Sequence, residues 1–381
     1  MEYQHGGDIY SNKVALDYSV NISPLGTPES VRWAAQKAIL NCSQYPDSQC
    51  RKLKEAISAH FHVPQEWICC GNGAADLIFA VVLAQKPKKA LLLAPTFAEY
   101  GQALQTVGCQ VDLYKLTEEG GFSLTEKTGG LREDFVRQIE KNPYDMVFLC
   151  NPNNPTGCVT GRKAILQAAE LTKKKACMLV LDECFCDFLE EEEEVTFLPY
   201  LEKFSHVFLL RAFTKLYAMP GLRLGYGFCA DAGWTENINQ VRQPWSVSGI
   251  AQAAGEAALL ETEYVRRVKM LIQKEKPVLE QALLQAGCRV FSGRANYIFF
   301  AVPAVLRQQE KREALFYQKM LEREILVRDC RNYPGLCGGY YRICVKNSHD
   351  NAVFIKAMRD VLRELESDEE HGRRATGRQW I

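Results

Sequence analysis

From about residue 67 to 230 the chain alternates short, strand-like apolar runs with amphipathic stretches, a pattern that few folds accommodate. WICCG (67–71) precedes a helix from 73, KALLLA (89–94) a helix from 97, and MVFLC (146–150) a helix from 162. CMLVLD (177–182), HVFLLR (206–211) and LRLGYGF (222–228) follow. Strands that alternate with helices in this way build a mostly parallel sheet covered on both faces, an α/β fold. In such sheets ligands sit beyond the carboxyl ends of the strands, so the loops after these runs hold the candidate site.

The last third changes character. A long helix is expected around 258–287, then strands near 289–293, 297–302, 325–330 and 340–345, interleaved with helices at about 306–323 and 349–365. That is a smaller α+β unit. The expected division is a large domain over 45–257, a smaller domain from 1–44 (with an N-terminal arm) and 258–366, and a mobile tail over 367–381. The acidic run 189–194 is expected as a solvated loop, since like charges repel and are costly to bury.

Lys and Arg total 46, as do Asp and Glu, so no global field favours nucleic acid or an anionic membrane surface. Any anionic ligand must be met locally. The apolar run Leu77 to Ala84 is far short of the roughly 20 residues a spanning helix needs, and no membrane span is expected. The start, MEYQHGGDIYSN, lacks the basic and apolar regions of a signal peptide, which leads to a cytoplasmic expectation. The 15 cysteines lie largely in strand-like runs and read as small buried hydrophobes. No metal is expected: Cys184-x-Cys186 and the Cys69–Cys70 pair lack zinc spacing, and His60-x-His62 has no further ligand at the right interval.

Chemistry-bearing residues gather at the strand ends. Lys215 lies in RAFTKLYAMPGLRLGY, four residues after the run ending at Arg211, and Arg223 follows eight residues later. The Pro220-Gly221 turn lets the two converge on one phosphate. Asp182 ends CMLVLD, where a buried carboxylate requires a facing cation. NPNNPTG (151–157) makes a tight turn in which Asn154 can offer its amide to a ring oxygen. In GNGAAD (71–76) the amides of Gly73, Ala74 and Ala75 stand free at a helix N-terminus, suited to a phosphate. A lysine amine, a carboxylate and phosphate donors are together what pyridoxal 5'-phosphate (PLP) chemistry requires.

NPNNPTG, Asp182-Glu-x-Phe185, the Thr214-Lys215 pair with Arg223, and GLRLGY resemble fold-type I PLP enzymes, whose fold is aspartate-aminotransferase-like. The resemblance runs from about residue 5 to 363. Within that class the chain is similar to the group holding histidinol-phosphate aminotransferase and threonine-phosphate decarboxylase of cobalamin biosynthesis. HGGDIY, DYSVNISPLG, PWSV, GRANY and NYPGL favour the decarboxylase side of the group. The resemblance implies Lys215 as the Schiff-base lysine, Asp182 opposite the pyridine nitrogen, Asn154 near the phenolic oxygen and Phe97 stacked on the ring. Thr214, Arg223 and the amides at Gly73, Ala74 and Ala75 would hold the cofactor phosphate. Tyr45 would reach the cofactor of a partner subunit, which implies a homodimer with shared sites. Arg342 would grip the substrate α-carboxylate, and His5, Arg328 and Asn332, with Arg294 as a further candidate, would meet a substrate phosphate.

Phe185 stands where aminotransferases of this fold usually carry a tyrosine, and Ser23 where the group commonly has asparagine. The implied reaction is decarboxylation of O-phospho-L-threonine to aminopropanol phosphate. O-phosphoserine is an alternative substrate, transamination an alternative reaction, and a catalytically silent PLP-binding interaction protein an alternative of another class.

Overall fold

The computed structural model describes residues 5–307 and 314–376, with side chains to residue 367. Strand β1 (Leu16–Asp17) is followed by the strands of a large sheet: β2 (Ile68–Gly71), β3 (Lys89–Ala94), β4 (Gln110–Lys115), β5 (Met146–Cys150), β6 (Met178–Asp182), β7 (Val207–Ala212) and β8 (Gly225–Phe228). Their order is β2-β8-β7-β6-β5-β3-β4. The pairs among β3 to β7 are parallel, and β8 alone runs antiparallel to its neighbours β2 and β7.

Side chains alternate across a strand with period two, so a sheet covered on both faces needs apolar residues at every position. In β5, Val147 and Leu149 enter one core while Met146 and Phe148 enter the other. Leu179 and Leu181 of β6 likewise oppose Met178 and Val180. Strand β4 was not expected from the sequence. QVDLYK lies at the sheet edge with only Tyr114 buried, so it lacks the continuous apolar run that marks its neighbours.

The last third forms strands β9 (Arg289–Val290), β10 (Tyr297–Ala301), β11 (Ile325–Leu326), β12 (Arg328–Asp329) and β13 (Tyr340–Cys344). Four of them make an antiparallel sheet in the order β12-β13-β10-β9, while β11 pairs with β1. A separate core joins Phe300, Tyr341, Phe354 and the N-terminal Tyr18, whose hydroxyl donates to Asn351 Oδ1 at 3.0 Å.

Several elements differ from expectation. The helix expected around 258–287 is Thr262–Gln285, and a further helix, Gly249–Ala258, not expected from the sequence, precedes it. The run expected as one strand over 325–330 divides between two sheets. The strand expected from 222 begins at Gly225, because Pro220–Leu222 forms a 3-10 turn and Arg223 has a φ of 56°. The helix Ser348–Thr376 runs on past the expected end at 365, and residues 377–381 lie outside the described residues. The expected helix over 306–323 includes residues 308–313, which also lie outside them; Leu315–Glu322 is helical.

The acidic run is not wholly solvated. Glu192 opens a short helix, Glu192–Val195, and its Oε1 accepts from Arg211 Nη1 at 2.8 Å. Arg211, fully buried in β7, also donates to Glu183 Oε2 at 2.8 Å and to Asp187. A buried guanidinium needs such partners, and this one draws part of the acidic run inward.

Candidate active site

The carboxyl ends of β2, β3, β5, β6 and β7 open into one cavity of about 310 Å³, lined also by residues of the N-terminal arm and the small sheet. Its lining includes Lys215, Asp182, Asn154, Ala74, Ala75, Phe97, Thr214, Arg223, His5, Arg328 and Arg342. Residues from widely separated stretches of sequence, from His5 to Arg342, therefore meet where the topology of an α/β sheet places ligands.

Lys215 sits in the single helical turn Phe213–Leu216 that follows β7. Burial, with the charges of Arg342 and Arg223, lowers the pKa of its amine below the usual lysine range. A lysine so placed supplies the free base that nucleophilic attack requires. Asp182, at the end of β6, accepts from Tyr100 Oη at 2.6 Å and from the Cys184 N–H at 2.9 Å. These donors fix its orientation.

Gly73 precedes the buried apolar helix Ala74–Gln85 and has a φ of 84°. A Cβ there would lie 2.5 Å from Arg223 Nη2, so only glycine lets the guanidinium approach the helix N-terminus. The result is an anion cradle of helix amides, an arginine and the hydroxyl of Thr214.

On the opposite wall Arg328 of β12 and Arg342 of β13 are direct register partners. Like charges facing each other across strands are destabilising, and an anion between the two guanidinium groups would relieve the repulsion. Arg342 Nη2 donates to Ser19 O at 2.7 Å and Nη1 donates to Asn154 Oδ1. That contact fixes the Asn154 carbonyl and leaves its amide for another acceptor. Arg328 donates to Asp329 O at 2.7 Å and to Asn332 Oδ1 at 2.8 Å, and its guanidinium lies 5.1 Å from the Tyr333 ring centroid.

Gly73 stands just outside the lining, against Arg223, and three other expected residues lie apart from it. Asn332 is held behind Arg328, and its neighbour Tyr333 is the residue that faces the cavity. Arg294 turns outward to an ion pair with Glu191 at 3.0 Å. Tyr45 is 81% exposed, its ring tilted against that of Trp245 with centroids 4.7 Å apart. Others in the lining were not singled out from the sequence: Asn21, Glu99 and Tyr333, with Tyr100 behind Asp182. Tyr100 was within reach of sequence reasoning, since it follows Phe97 by three residues at the start of a helix and so shares its face.

The family model for aminotransferases of class I and II matches residues 13–359. The chain belongs to this family. Among class I and II aminotransferase relatives, threonine-phosphate decarboxylase of Salmonella typhimurium is 36% identical over 367 residues, covering 94% of this chain and 96% of that protein. Histidinol-phosphate aminotransferase 1 of Cupriavidus pinatubonensis is 30% identical, covering 90% of this chain and 87% of the other. The crystal structure of the histidinol-phosphate aminotransferase from Clostridium acetobutylicum superposes with a TM-score of 0.82 at 28% identity, covering 92% of this chain and 99% of that one. The fold is that of the aspartate aminotransferases, as expected from the sequence. Among the described residues no helix is long and apolar enough to cross a membrane, and no group of side chains could hold a metal ion.

Proposed function

We propose that this chain is a PLP-dependent carboxy-lyase that converts O-phospho-L-threonine to aminopropanol phosphate, a step of cobalamin biosynthesis. The observation that carries the reading is the pair of arginines, Arg328 and Arg342, on one wall of a cavity whose other wall holds Lys215 and Asp182. An amino acid with two anionic ends, carboxylate and phosphate, matches two guanidinium groups. The 36% identity to a threonine-phosphate decarboxylase over nearly the whole of both chains supports the same substrate.

The residues present fit the cofactor. The cradle at Gly73, Ala74, Ala75, Thr214 and Arg223 suits its phosphate, and Gly73 leaves open the space a side chain would fill. Bound PLP supplies an aldehyde that condenses with an amine and a ring that accepts the electron pair left at Cα when a substituent departs. Asp182 would hold the proton on the ring nitrogen, Phe97 would pack on the ring face, and Asn154 would offer its amide to the ring oxygen. Arg342 grips the α-carboxylate while Arg328, steadied by Asn332, and His5 receive the substrate phosphate. Pulling from both ends, these groups turn the carboxylate toward the orientation in which it is lost. Lys215, beside the reacting carbon, would be the group that returns a proton to Cα.

The same reading makes the protein a cytoplasmic homodimer with shared sites, Tyr45 reaching the cofactor phosphate in the partner subunit. Phosphoserine is the nearest competing substrate, because one methyl in an apolar pocket discriminates by only about 1–3 kcal/mol. Carboxyl-labelled O-phospho-L-threonine, with and without 2-oxoglutarate, tests the reaction. Labelled CO2 is expected over many turnovers, with no glutamate formed. Glutamate with the label retained would make the chain an aminotransferase, and no turnover of any amino acid would leave a silent binding protein.

A further inference from the structure

Glu99 lies on the first turn of the helix Ala98–Thr106, two residues after Phe97, and lines the cavity with a side chain 15% exposed. Its Oε1 is 3.5 Å from His5 Nδ1, and its Oε2 is buried with no hydrogen-bond partner. His5 is carried there by an arm seated on Ser19: the Gly7 N–H donates to Ser19 Oγ at 2.7 Å, and a Cβ at Gly6 would lie 2.4 Å from Ser19 O. The charged groups around Glu99 come from four further elements: His5 from the arm, Lys215 from the turn after β7, Asp182 from β6 and Arg328 from β12. A buried carboxyl oxygen without a partner is costly, and nothing in the roles assigned above uses it.

We propose that Glu99 meets the substrate phosphate through one shared proton, and is thereby the residue that selects a phosphate end over a carboxylate end. The inference rests on the decarboxylase reading and adds a specificity determinant to it. Burial pushes the Glu99 pKa up to about 7, and the second ionisation of a phosphate monoester falls at a pKa of about 6. The two groups are therefore matched closely enough to hold one proton between them, which satisfies Oε2 and leaves phosphate oxygens for Arg328 and His5. A side-chain carboxylate has a pKa of about 4 and only two oxygens, so a proton shared with Glu99 costs more and leaves fewer acceptors. Dicarboxylic amino acids are disfavoured on this account.

The proton balance has a definite sign. At a pH above both values the free carboxylate and free phosphate are unprotonated, while the complex retains one proton drawn from solvent. Binding therefore weakens as pH rises, by about tenfold per unit where the linkage is full. The test is isothermal titration of wild-type, Glu99→Gln and His5→Gln holoenzymes with aminopropanol phosphate, which has no carboxylate to lose, in buffers of different ionisation enthalpy. Wild type should take up about one proton more than Glu99→Gln, and the pH slope of affinity should flatten in that variant but persist in His5→Gln. Inhibition by L-glutamate relative to the phosphate ligand should strengthen about tenfold in Glu99→Gln. Unchanged proton uptake in Glu99→Gln, or its loss in His5→Gln alone, overturns the inference and leaves the decarboxylase reading intact. Wild-type holoenzyme that fails to bind aminopropanol phosphate overturns both.

Discussion

Asp182 accepts from the hydroxyl of Tyr100 and the N–H of Cys184, one donor to each oxygen, and those bonds fix its carboxylate in the cavity that Lys215 also lines. A neutral amide of the same shape keeps the packing but cannot hold a proton on a pyridine nitrogen. Asp182→Asn is therefore expected to lower kcat by about 100-fold or more, about 2.7 kcal/mol in barrier, with the denaturation midpoint little changed. Steady-state kinetics beside a denaturant titration check both halves. A rate within about threefold of wild type would show that Asp182 is not the partner of the ring nitrogen. Asp182 was visible in the sequence because it closes an apolar run, whereas Tyr100 could be read only as sharing a helix face with Phe97. Its value comes from reaching another strand's terminus, a contact that separation along the chain does not encode.

Two charged residues with different tasks lie at the end of β7: Arg211 within the strand, and Lys215 in the turn just beyond. Arg211 points into a closed set of carboxylates, Glu183, Asp187 and Glu192, with Thr196 Oγ1 accepting at 2.9 Å. Removing one partner of a buried ionic group strands the others without compensation. Arg211→Met is expected to destabilise the fold by about 3–5 kcal/mol, read as a fall in the urea midpoint at unchanged slope. Glu192→Gln, at the more exposed rim of the cluster, should cost much less. The acidic run 189–194 looked solvated in the sequence because its only neighbours there are other acids. Its cation lies in β7, reached only once the strands pair.

At the scale of the whole molecule, exposed aromatic surface stands out. Tyr45 and Trp245 lie against each other yet remain open to solvent, and Trp33 and Leu40 are also exposed. Large apolar groups left outside a core are natural material for a subunit interface. Sedimentation analysis is expected to give a dimer. Tyr45→Phe, which removes one hydroxyl donor, should speed PLP loss on dilution or dialysis, measured by the decay of cofactor absorbance. A monomer that turns over at full rate would remove Tyr45 from the site.

The sequence by itself determined the α/β class, the strand ends and the residues sitting on them: Lys215, Asp182, Asn154, Arg223 and the glycine turn at Gly73. Each follows from local physics, since an apolar run ends where the chain must turn and the turn residues announce themselves. Tertiary structure decided what the last third and the N-terminus contribute. Arg328 and Arg342 meet on one cavity wall because their strands pair in register, and Tyr333 rather than Asn332 lines the cavity because the turn after β12 presents that side chain. Glu99 acquired its raised pKa from burial beneath an arm nearly a hundred residues earlier. Burial and charge pairing depend on distance through space, and spacing along a chain reports that distance only within a single element.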